Sequence, residues 1–357
     1  MRNLLAVIMT LAMFGAAAPS AALAEDSAKD ELVIGITQFP STLHPNIDSM
    51  VAKSYVLGMT QRPFTAYDHD WELACFLCTE LPTFENGLAV REPLPEHAEG
   101  YDKGWEGVAT TYTIHPDATW GDGTPITTDD VLFTYEVGKH PESQISNAEL
   151  YRRILSIDVI DDKTFVVHGD RITFNYMGLG DFRVLPAHLE REIFEADPAT
   201  YRNRTKFDTD PTNPGLWFGP YRVSDVASGS HITLEENPTW WGTEPHFKKI
   251  VVKVIENTAA LEANLLSGAI DMIAGELGLT LDQALAFEAR NSDQFRVHYQ
   301  PGLMYEHLDV NLDNPILADL RVRKALMLGL DRQAMSEQLF EGRQSRSLTL
   351  VSATGWR

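Results

Sequence analysis

The most reactive side chains of the sequence belong to its two cysteines, Cys75 and Cys78, which stand three positions apart. A Cys-x-x-Cys pair supports thiol–disulfide exchange when it opens a helix in a thioredoxin-like unit, and Leu81-Pro82 just downstream argues against such a helix. A zinc site would need a second CxxC or an HxxxH pair, and the sequence contains neither. The spacing therefore predicts a local disulfide or two structural thiols, with no metal ion and no cofactor.

Motifs of catalytic sites are missing from the sequence. It has no GxSxG nucleophile elbow, no HExxH zinc helix, no GxxxxGK[ST] phosphate loop and no GxGxxG turn after a strand. Its many carboxylates could in principle supply the acid and base of a secreted glycosidase, but no arrangement of them nominates a pair. The sequence therefore favours a binding protein over an enzyme, and a secreted hydrolase is the weaker alternative.

The charge balance is strongly acidic. Aspartate and glutamate number 51 against 29 lysines and arginines, which gives a formal net charge of −22. Such a surface repels nucleic-acid phosphates and anionic lipids, so neither is an expected partner. The charge is otherwise typical of a solvated protein surface.

The first 24 residues have the pattern of an export signal. Arg2 gives a positive start, an apolar run covers 4–18, Pro19 ends it, and Ala22-Leu23-Ala24 forms a small-x-small cleavage site. The run is shorter than the roughly 20 residues that span a bilayer. No cysteine stands at the cleavage site to carry a lipid anchor. We therefore expect a signal peptide at 1–24 and a mature protein in the periplasm.

The segment ATWGDGTPITTDDVLFTYEVG, from Ala118 to Gly138, joins a tight turn to a helix start. The two glycines of Gly121-Asp122-Gly123 can adopt the positive φ angles that a chain reversal needs. Thr127 stands three residues before Asp130, which is the spacing of a capping box. The segment therefore predicts a strand, a turn and a capped helix in succession, with a structural role for the indole and the turn.

Strands and helices are both predicted outside this segment. The apolar run 32–36 predicts a buried opening strand, and the Pro-, Gly- and Glu-rich stretch 84–107 predicts a surface loop inserted between strands. A helix is predicted from Pro186 to about Ala196. The stretch 221–241 predicts a strand hairpin. Short alternating strands and helices together indicate an α/β protein.

The second part of the chain begins with clear helix signals. Asn257 or Thr258 can cap a helix that Gly268 closes in the left-handed conformation, and a strand is predicted at 270–273. Alternation predicts another strand at 305–311, and Asp319 begins a further helix. We therefore predict a change of structural unit near residue 257.

Four segments, in order, resemble the signatures of the family 5 extracellular solute-binding proteins, the peptide-binding receptors of bacterial ABC importers. Residues 120–131 match the pattern W-x-D-G-x-P-[VIL]-[TN]-[AT]-x-D-V at every fixed position. The stretches 215–241, 265–271 and 319–333 are similar to further family motifs. Two departures, Trp217-Phe218 for small residues and Trp240 for a tyrosine, bear on side-chain size near the ligand cleft.

The resemblance implies an α/β, two-lobed periplasmic binding protein of type II-like architecture. It assigns 1–24 to the signal peptide, 25–256 to a first lobe with two subdomains, and 257–357 to part of a second lobe. A monomeric receptor of this kind holds a peptide between its lobes, largely through main-chain hydrogen bonds, and delivers it to an inner-membrane ABC permease. A receptor for a nickel chelate, a sugar or another solute, and a signalling receptor without transport, remain open alternatives.

The resemblance also nominates ligand-facing residues at the lobe boundary. Met50 and Val51 follow the first strand, and Gly275-Glu276 follow the strand predicted at 270–273. Trp241 and Tyr305 could add aromatic surface. Glu276 is of most interest, because a carboxylate there could meet a peptide amino group.

Two further expectations concern the last 40 residues. Arg321 and Arg323 point in different directions on a helix, so pairing with Asp319 or Asp331 is expected rather than a shared carboxylate clamp. Relatives are considerably longer than 357 residues, and the chain ends soon after the helix that Asp319 begins. We therefore expect a second lobe that is incomplete, with its residues after about 257 loosely held and little peptide affinity in the chain as it stands.

Overall fold

The computed structural model describes residues 29–94, 105–299 and 308–343. The predicted signal peptide and Tyr305 lie outside these ranges. The strands are β1 (Glu31–Ile36), β2 (Thr65–Tyr67), β3 (Leu73–Cys75), β4 (Ala89–Pro93), β5 (Glu106–Thr113), β6 (Ile154–Val159), β7 (Thr164–Gly169), β8 (Tyr221–Ala227), β9 (His231–Glu236), β10 (Lys249–Val254) and β11 (Met272–Ile273). The helices are α1 (Val51–Thr60), α2 (Thr128–Lys139), α3 (Ala148–Arg153), α4 (Ala187–Ala196), α5 (Lys206–Thr209), α6 (Thr258–Leu266), α7 (Leu281–Asn291), α8 (Leu320–Gly329) and α9 (Arg332–Phe340).

A five-stranded sheet in the order β11, β1, β10, β9, β8 organises the fold. The opening strand β1 runs parallel to both of its neighbours, β10 and β11, whereas β10, β9 and β8 pair antiparallel. Ile34 and Ile36 of β1 are buried against residues of α1, α2 and α4 in the largest apolar core. The predicted buried opening strand is therefore confirmed.

A second sheet has the antiparallel order β4, β5, β7, β6, and the β2–β3 hairpin stands beside it. Its core is rich in aromatic rings, with Phe64, Tyr112 and Phe165 within 6.0 Å of one another by ring centroid. The expectation of a plain loop over 84–107 is wrong in part, because β4 pairs with β5 along its whole length. Its polar composition fits an edge strand with one solvated face.

The predicted turn and capping box are confirmed. Gly123 has a φ of +89°, Thr127 caps α2, and the reciprocal bond from the Thr127 N–H to the Asp130 carboxylate measures 2.9 Å. The buried Asp130 also accepts hydrogen bonds from the Trp120 indole at 3.4 Å and from the Ala187 N–H at 2.9 Å. Burial raises the pKa of Asp130. This segment therefore joins the turn, α2 and α4 through one carboxylate, which is a structural role.

The sheet continues beyond the boundary predicted at residue 257. Asn257 caps α6 and Gly268 has a φ of +76°, as the sequence predicts, but the strand that follows, β11, pairs with β1 of the first sheet. Leu261 and Ile270 pack in a third apolar cluster with Phe287 of α7. The expectation that this strand opens a second lobe is therefore wrong for β11, and the division of the chain into lobes stays a prediction.

Helices α8 and α9 contain no buried residue. Asp319 caps α8 and forms an ion pair with Arg321 at 2.6 Å, while Arg323 donates to the Leu317 and Ala318 carbonyl oxygens. The expected pairing of Arg321 with Asp319 is therefore confirmed, and Arg323 bonds the backbone instead. Within the described ranges no helix is both long and apolar enough to cross a membrane.

Candidate functional site

The carboxyl ends of β1 and β11 define the candidate site. The two strands are adjacent and parallel, with Ile34 opposite Met272 and Gly35 opposite Ile273, so the segments that leave them emerge at one edge of the sheet. In open α/β sheets the crevice outside the carboxyl ends of parallel strands is where ligands bind. Four of the nominated residues, Met50, Val51, Gly275 and Glu276, follow these two strands.

Hydrogen bonds join the two segments across this edge. The Thr37 N–H and hydroxyl both donate to the Leu277 carbonyl oxygen, at 2.9 and 3.0 Å. One helical turn into α1, the Tyr55 hydroxyl accepts a hydrogen bond from the Glu276 N–H at 3.2 Å. The start of α1 and the Gly275-Glu276 turn are therefore neighbours, as the resemblance implies.

The four nominated residues at this edge differ in their contacts and exposure. Met50 precedes α1 and its sulfur accepts hydrogen bonds from the Ser41 N–H and hydroxyl, whereas Val51 begins the helix with 37% of its surface exposed. Gly275 and Glu276 are exposed. A Cβ atom at position 275 would meet no described atom within 4 Å, so steric crowding does not explain why this residue is a glycine. The Glu276 backbone is held by Tyr55, and its carboxylate projects from an exposed turn.

A buried lysine holds the segment between β1 and α1. The Lys53 ammonium donates to the carbonyl oxygens of His44, Ile47 and Asp48 at 2.6 to 2.7 Å. Burial lowers the pKa of Lys53 to about 8, despite the favourable charge of nearby carboxylates. Asp48 has a φ of +51° and pairs with Arg202 at 2.6 Å, which lowers the pKa of that carboxyl. The loop that presents Met50 is therefore fixed rather than open.

A histidine fixes the same loop from its other side. His44 is fully buried; its Nδ1 accepts the Asn46 N–H at 3.1 Å and its Nε2 lies 3.1 Å from the Tyr201 hydroxyl. Burial, followed by the charge of Lys53, holds the pKa of His44 well below its usual range. The imidazole is therefore neutral, with its Nε2–H donating to Tyr201. Sequence reasoning missed both Lys53 and His44, because their partners are backbone atoms and a distant tyrosine.

Trp241 lies at the opposite edge of the main sheet. The end of β9 and the start of β10 flank the segment 237–248, and the Lys248 N–H donates to the Asp30 carbonyl just before β1. This is the amino end of β1, whereas the candidate site lies at its carboxyl end. The structure therefore does not bring Trp241 together with Met50, Val51 and Glu276. Trp217 and Phe218 are buried in the cores and do not line the cleft edge either.

The two cysteines also lie away from the candidate site. Cys75 at the end of β3 is bonded to Cys78, with 5.1 Å between their Cα atoms. Cys78 forms an isolated bridge with Ile114 in the aromatic core. The bond therefore closes a single local turn at the end of the β2–β3 hairpin, beside the second sheet.

One group in the described structure has the donor atoms of a metal site. Asp68, His69 and Asp70 bring a carboxylate oxygen or ring nitrogen within 4.8 Å of one another on the β2–β3 turn. Asp68 is already engaged, since it accepts the N–H groups of Asp70 and Glu72. His69 is 88% exposed by side chain. An exposed turn of this kind explains the residues without a metal.

The crevice at the ends of β1 and β11, with a mixed sheet behind it, is a ligand-binding arrangement common to open α/β proteins. The sequence model of a protein family, described as bacterial extracellular solute-binding proteins, family 5 Middle, matches residues 92–357. The chain therefore belongs to that family.

Individual relatives agree with this assignment. The oligopeptide-binding protein OppA of Mycobacterium tuberculosis is 32% identical over 233 residues, covering 63% of this chain and 37% of that protein. The periplasmic oligopeptide-binding protein OppA of Escherichia coli is 28% identical over 272 residues, covering 69% of this chain and 47% of that protein. The chain thus spans less than half the length of these relatives.

Solved structures show the same architecture. The oligopeptide-binding protein of Thermus thermophilus, complexed with a pentapeptide, has a TM-score of 0.71 and 25% identity, covering 91% of this chain and 59% of that one. AppA of Bacillus subtilis, in complex with a nonapeptide, has a TM-score of 0.66 and 21% identity, covering 87% and 56%. The two-lobed binding-protein fold predicted from the sequence is therefore confirmed.

Proposed function

We propose that this chain is the solute-capturing part of an ABC importer and that its ligand is a short peptide. The ligand would lie against the carboxyl edge of β1 and β11, between this sheet and a second lobe. The protein would act in the periplasm after removal of a signal peptide, as a monomer that presents its liganded form to an inner-membrane permease. It would bind its ligand without chemical change.

The observation that carries the proposal is the junction at this edge. Two segments that are about 220 residues apart in sequence meet through the Thr37 to Leu277 and Glu276 to Tyr55 hydrogen bonds. The junction leaves an exposed carboxylate, Glu276, beside the first turn of α1. Relatives whose names state oligopeptide binding support the peptide as ligand.

Glu276 is the residue we assign to the peptide amino group. A carboxylate and an ammonium form a charge-assisted hydrogen bond, which contributes about 1.5 to 3 kcal/mol when water is partly excluded. Main-chain pairing would supply the remaining affinity equally to most sequences. The proposed receptor would therefore favour a free amino terminus and show weak sequence preference.

Two similar solved structures contain solutes other than peptides, so other solutes are possible results of the binding experiment. NikZ of Campylobacter jejuni is described in complex with Ni(L-His), and MoaA of Agrobacterium with mannopinic acid. Both are below 25% identical to this chain and support the fold alone. A nickel chelate, a sugar derivative or a purely signalling role would replace the peptide assignment without changing the architecture.

Calorimetry on the mature protein expressed from its complete gene tests the proposal. Di- to hexapeptides with free amino termini should bind, and the Glu276→Gln variant should bind them about tenfold more weakly. The same peptides with acetylated amino termini should bind wild type and variant equally. Glu85→Gln is the matched control, since it makes the same substitution at an exposed position away from this edge.

Two results would contradict the proposal. If no peptide binds and Ni(L-His) or a sugar acid does, the ligand is another solute. Peptide cleavage products after incubation would move it to the hydrolases. Equal peptide affinities of Glu276→Gln and Glu85→Gln would reject only the assignment of Glu276 to the amino group.

A further inference from the structure

A groove at the amino edge of the main sheet is separate from the candidate cleft. It encloses about 660 Å³ and is lined by the end of α1, the end of β3 and the segment 240–247. Trp240 and Trp241 form its aromatic wall, with ring centroids 4.6 Å apart and planes tilted by 45°. His115 lies against Trp241 with its ring nearly parallel, 6.0 Å away. The groove is thus a built aromatic surface with polar groups at its rim.

Arg62 places a positive charge inside this groove. Its guanidinium carbon lies 5.0 Å from the centre of the Trp240 ring, and both of its described hydrogen bonds use Nη1, to the Gly58 and Gln61 carbonyl oxygens at 2.8 and 3.0 Å. Burial lowers the pKa of Arg62, and no described carboxylate contributes to that shift. The Trp240 ring and the Gly58 and Gln61 carbonyl oxygens therefore fix the orientation of the guanidinium group. Its Nε and Nη2 atoms have no described acidic partner.

Arg62 differs from the arginines that form ion pairs on the acidic surface of the chain. The chain carries 51 acidic against 29 basic residues, and many of its described arginines pair with carboxylates, for example Arg91 with Glu106. The lining of the groove holds one arginine, Arg62, and one carboxylate, Glu244, so it lacks the acidic excess of the whole chain. The fork formed by Nε and Nη2 of Arg62 therefore favours an anion here, and the indoles favour a flat apolar group attached to it.

Gly242 is the residue that permits this arrangement. A Cβ at position 242 would lie 2.3 Å from Cζ2 of Trp240, so a side chain there must push the ring away. The Trp240 indole N–H donates to the Thr243 carbonyl oxygen at 2.8 Å, which holds the ring folded back over Gly242 and under Arg62. The glycine and the turn therefore set the Trp240–Arg62 stack.

We propose that this groove is a second ligand site, which takes a small organic carboxylate bearing an aromatic ring. The carboxylate accepts two parallel hydrogen bonds from Nε and Nη2 of Arg62, and the aromatic ring packs against Trp240 and Trp241. The site does not depend on the peptide cleft, because the two lie at opposite ends of β1. Its ligand needs no amino group.

Indole ¹⁵N–¹H NMR signals of the purified full chain test the site. N-acetyl-L-phenylalanine, which lacks the free amine expected to meet Glu276, should shift the Trp240 and Trp241 signals along a saturable curve. N-acetyl-L-phenylalaninamide, which lacks only the carboxylate, should bind about tenfold more weakly. Assignments come from Trp240→Phe and Trp241→Phe.

Variants separate the arginine from the aromatic wall. Arg62→Gln should weaken the carboxylate about tenfold and leave the amide unchanged, while Arg91→Gln, the same substitution on an exposed strand, should leave both unchanged. Gly242→Ala should weaken both ligands, because it displaces Trp240 without altering charge. Glu276→Gln should alter neither. Thermal unfolding of each variant shows that it is folded, and Gly242→Ala tests the site if Arg62→Gln does not fold.

The proposal is overturned by any of three results. The acid and the amide could bind with equal affinity, which would remove the carboxylate from recognition. Arg62→Gln could bind the acid as wild type does. The signals of Trp71 and Trp105, on the surface elsewhere, could shift in parallel with those of Trp240, which would make the binding non-specific.

Discussion

Leu234 in β9 and Leu328 in α8 carry the same side chain in opposite surroundings, since Leu234 is fully buried and Leu328 is 81% exposed. The difference extends to the regions around them. The two sheets enclose apolar cores, whereas α8 and α9 bury none of their residues. Local signals define the two helices: Asp319 and Asp331 cap their starts, and Glu341 ends α9 in the left-handed conformation. A helix can therefore be well specified by its sequence and still lack the packing that would stabilise it.

Hydrogen exchange should give the largest contrast between these regions. Isolated helices of about ten residues are marginal in water, so the amides of α8 and α9 should open at little cost. Amides of β1 and β10 should open only with the whole core and exchange at least about 10³-fold more slowly. Mass spectrometry of the purified chain measures both. Equal, strong protection of α8 and the sheet would show that the helix is stabilised by contacts not described here.

Matched leucine substitutions sharpen the comparison in free energy. Leu234→Ala should lower the free energy of unfolding by about 2 to 5 kcal/mol, because it removes apolar contacts and leaves a cavity. Leu328→Ala removes the same atoms from a solvated position and should change it by less than about 0.5 kcal/mol. Urea denaturation followed by tryptophan fluorescence measures both values. A cost above about 2 kcal/mol at Leu328 would contradict the comparison.

Protonation of His44, which lies in the packed region around the main sheet, should give a smaller change in the free energy of unfolding. Its folded-state pKa is depressed, so the unfolded chain takes up the proton first and the stability that neutral His44 contributes is present above about pH 6.5 and lost as pH falls below it. Between about pH 7.5 and 5.5, wild type should lose about 1.4 kcal/mol more than His44→Gln.

Urea denaturation at both pH values measures the His44 effect. The double difference cancels contributions from other titrating groups that the variant retains. His69, which is 88% exposed by side chain, supplies the control as His69→Gln, with no change expected in the pH dependence. Equal pH dependence in wild type and His44→Gln would mean that His44 accepts its proton without disturbing the loop.

The elements that sequence reasoning located depend on neighbours within a few residues. The Thr127–Asp130 capping box and the left-handed Gly268 follow from local backbone chemistry, and both are found as predicted. The pairing of β11 with β1 is a contact between distant segments, and no pattern in 270–273 states which strand it will join. The sequence therefore did not predict that β11 joins the first sheet, and the boundary near 257 stays a prediction.

The candidate site divides in the same way. Motif order placed Met50 and Glu276 after strands whose ends meet, because parallel neighbours share an edge. Trp241 could not be placed from sequence, since its position depends on the antiparallel pairing of β9 with β10. Lys53 and His44 give no motif, because backbone carbonyl and N–H groups are their partners.

The position of β1 between β11 and β10 in the main sheet has a kinetic consequence. Asp30 and Lys248, which join at the start of the β1–β10 pair, are 218 residues apart. At a synthesis rate of about 5 to 20 residues per second, β1 waits roughly 10 to 40 s before its first partner strand exists. During that time its apolar residues can contact native partners in α1, α2 and α4, but β1 has no strand beside it. We therefore expect the closure of this long loop to affect the rate of folding far more than the final stability.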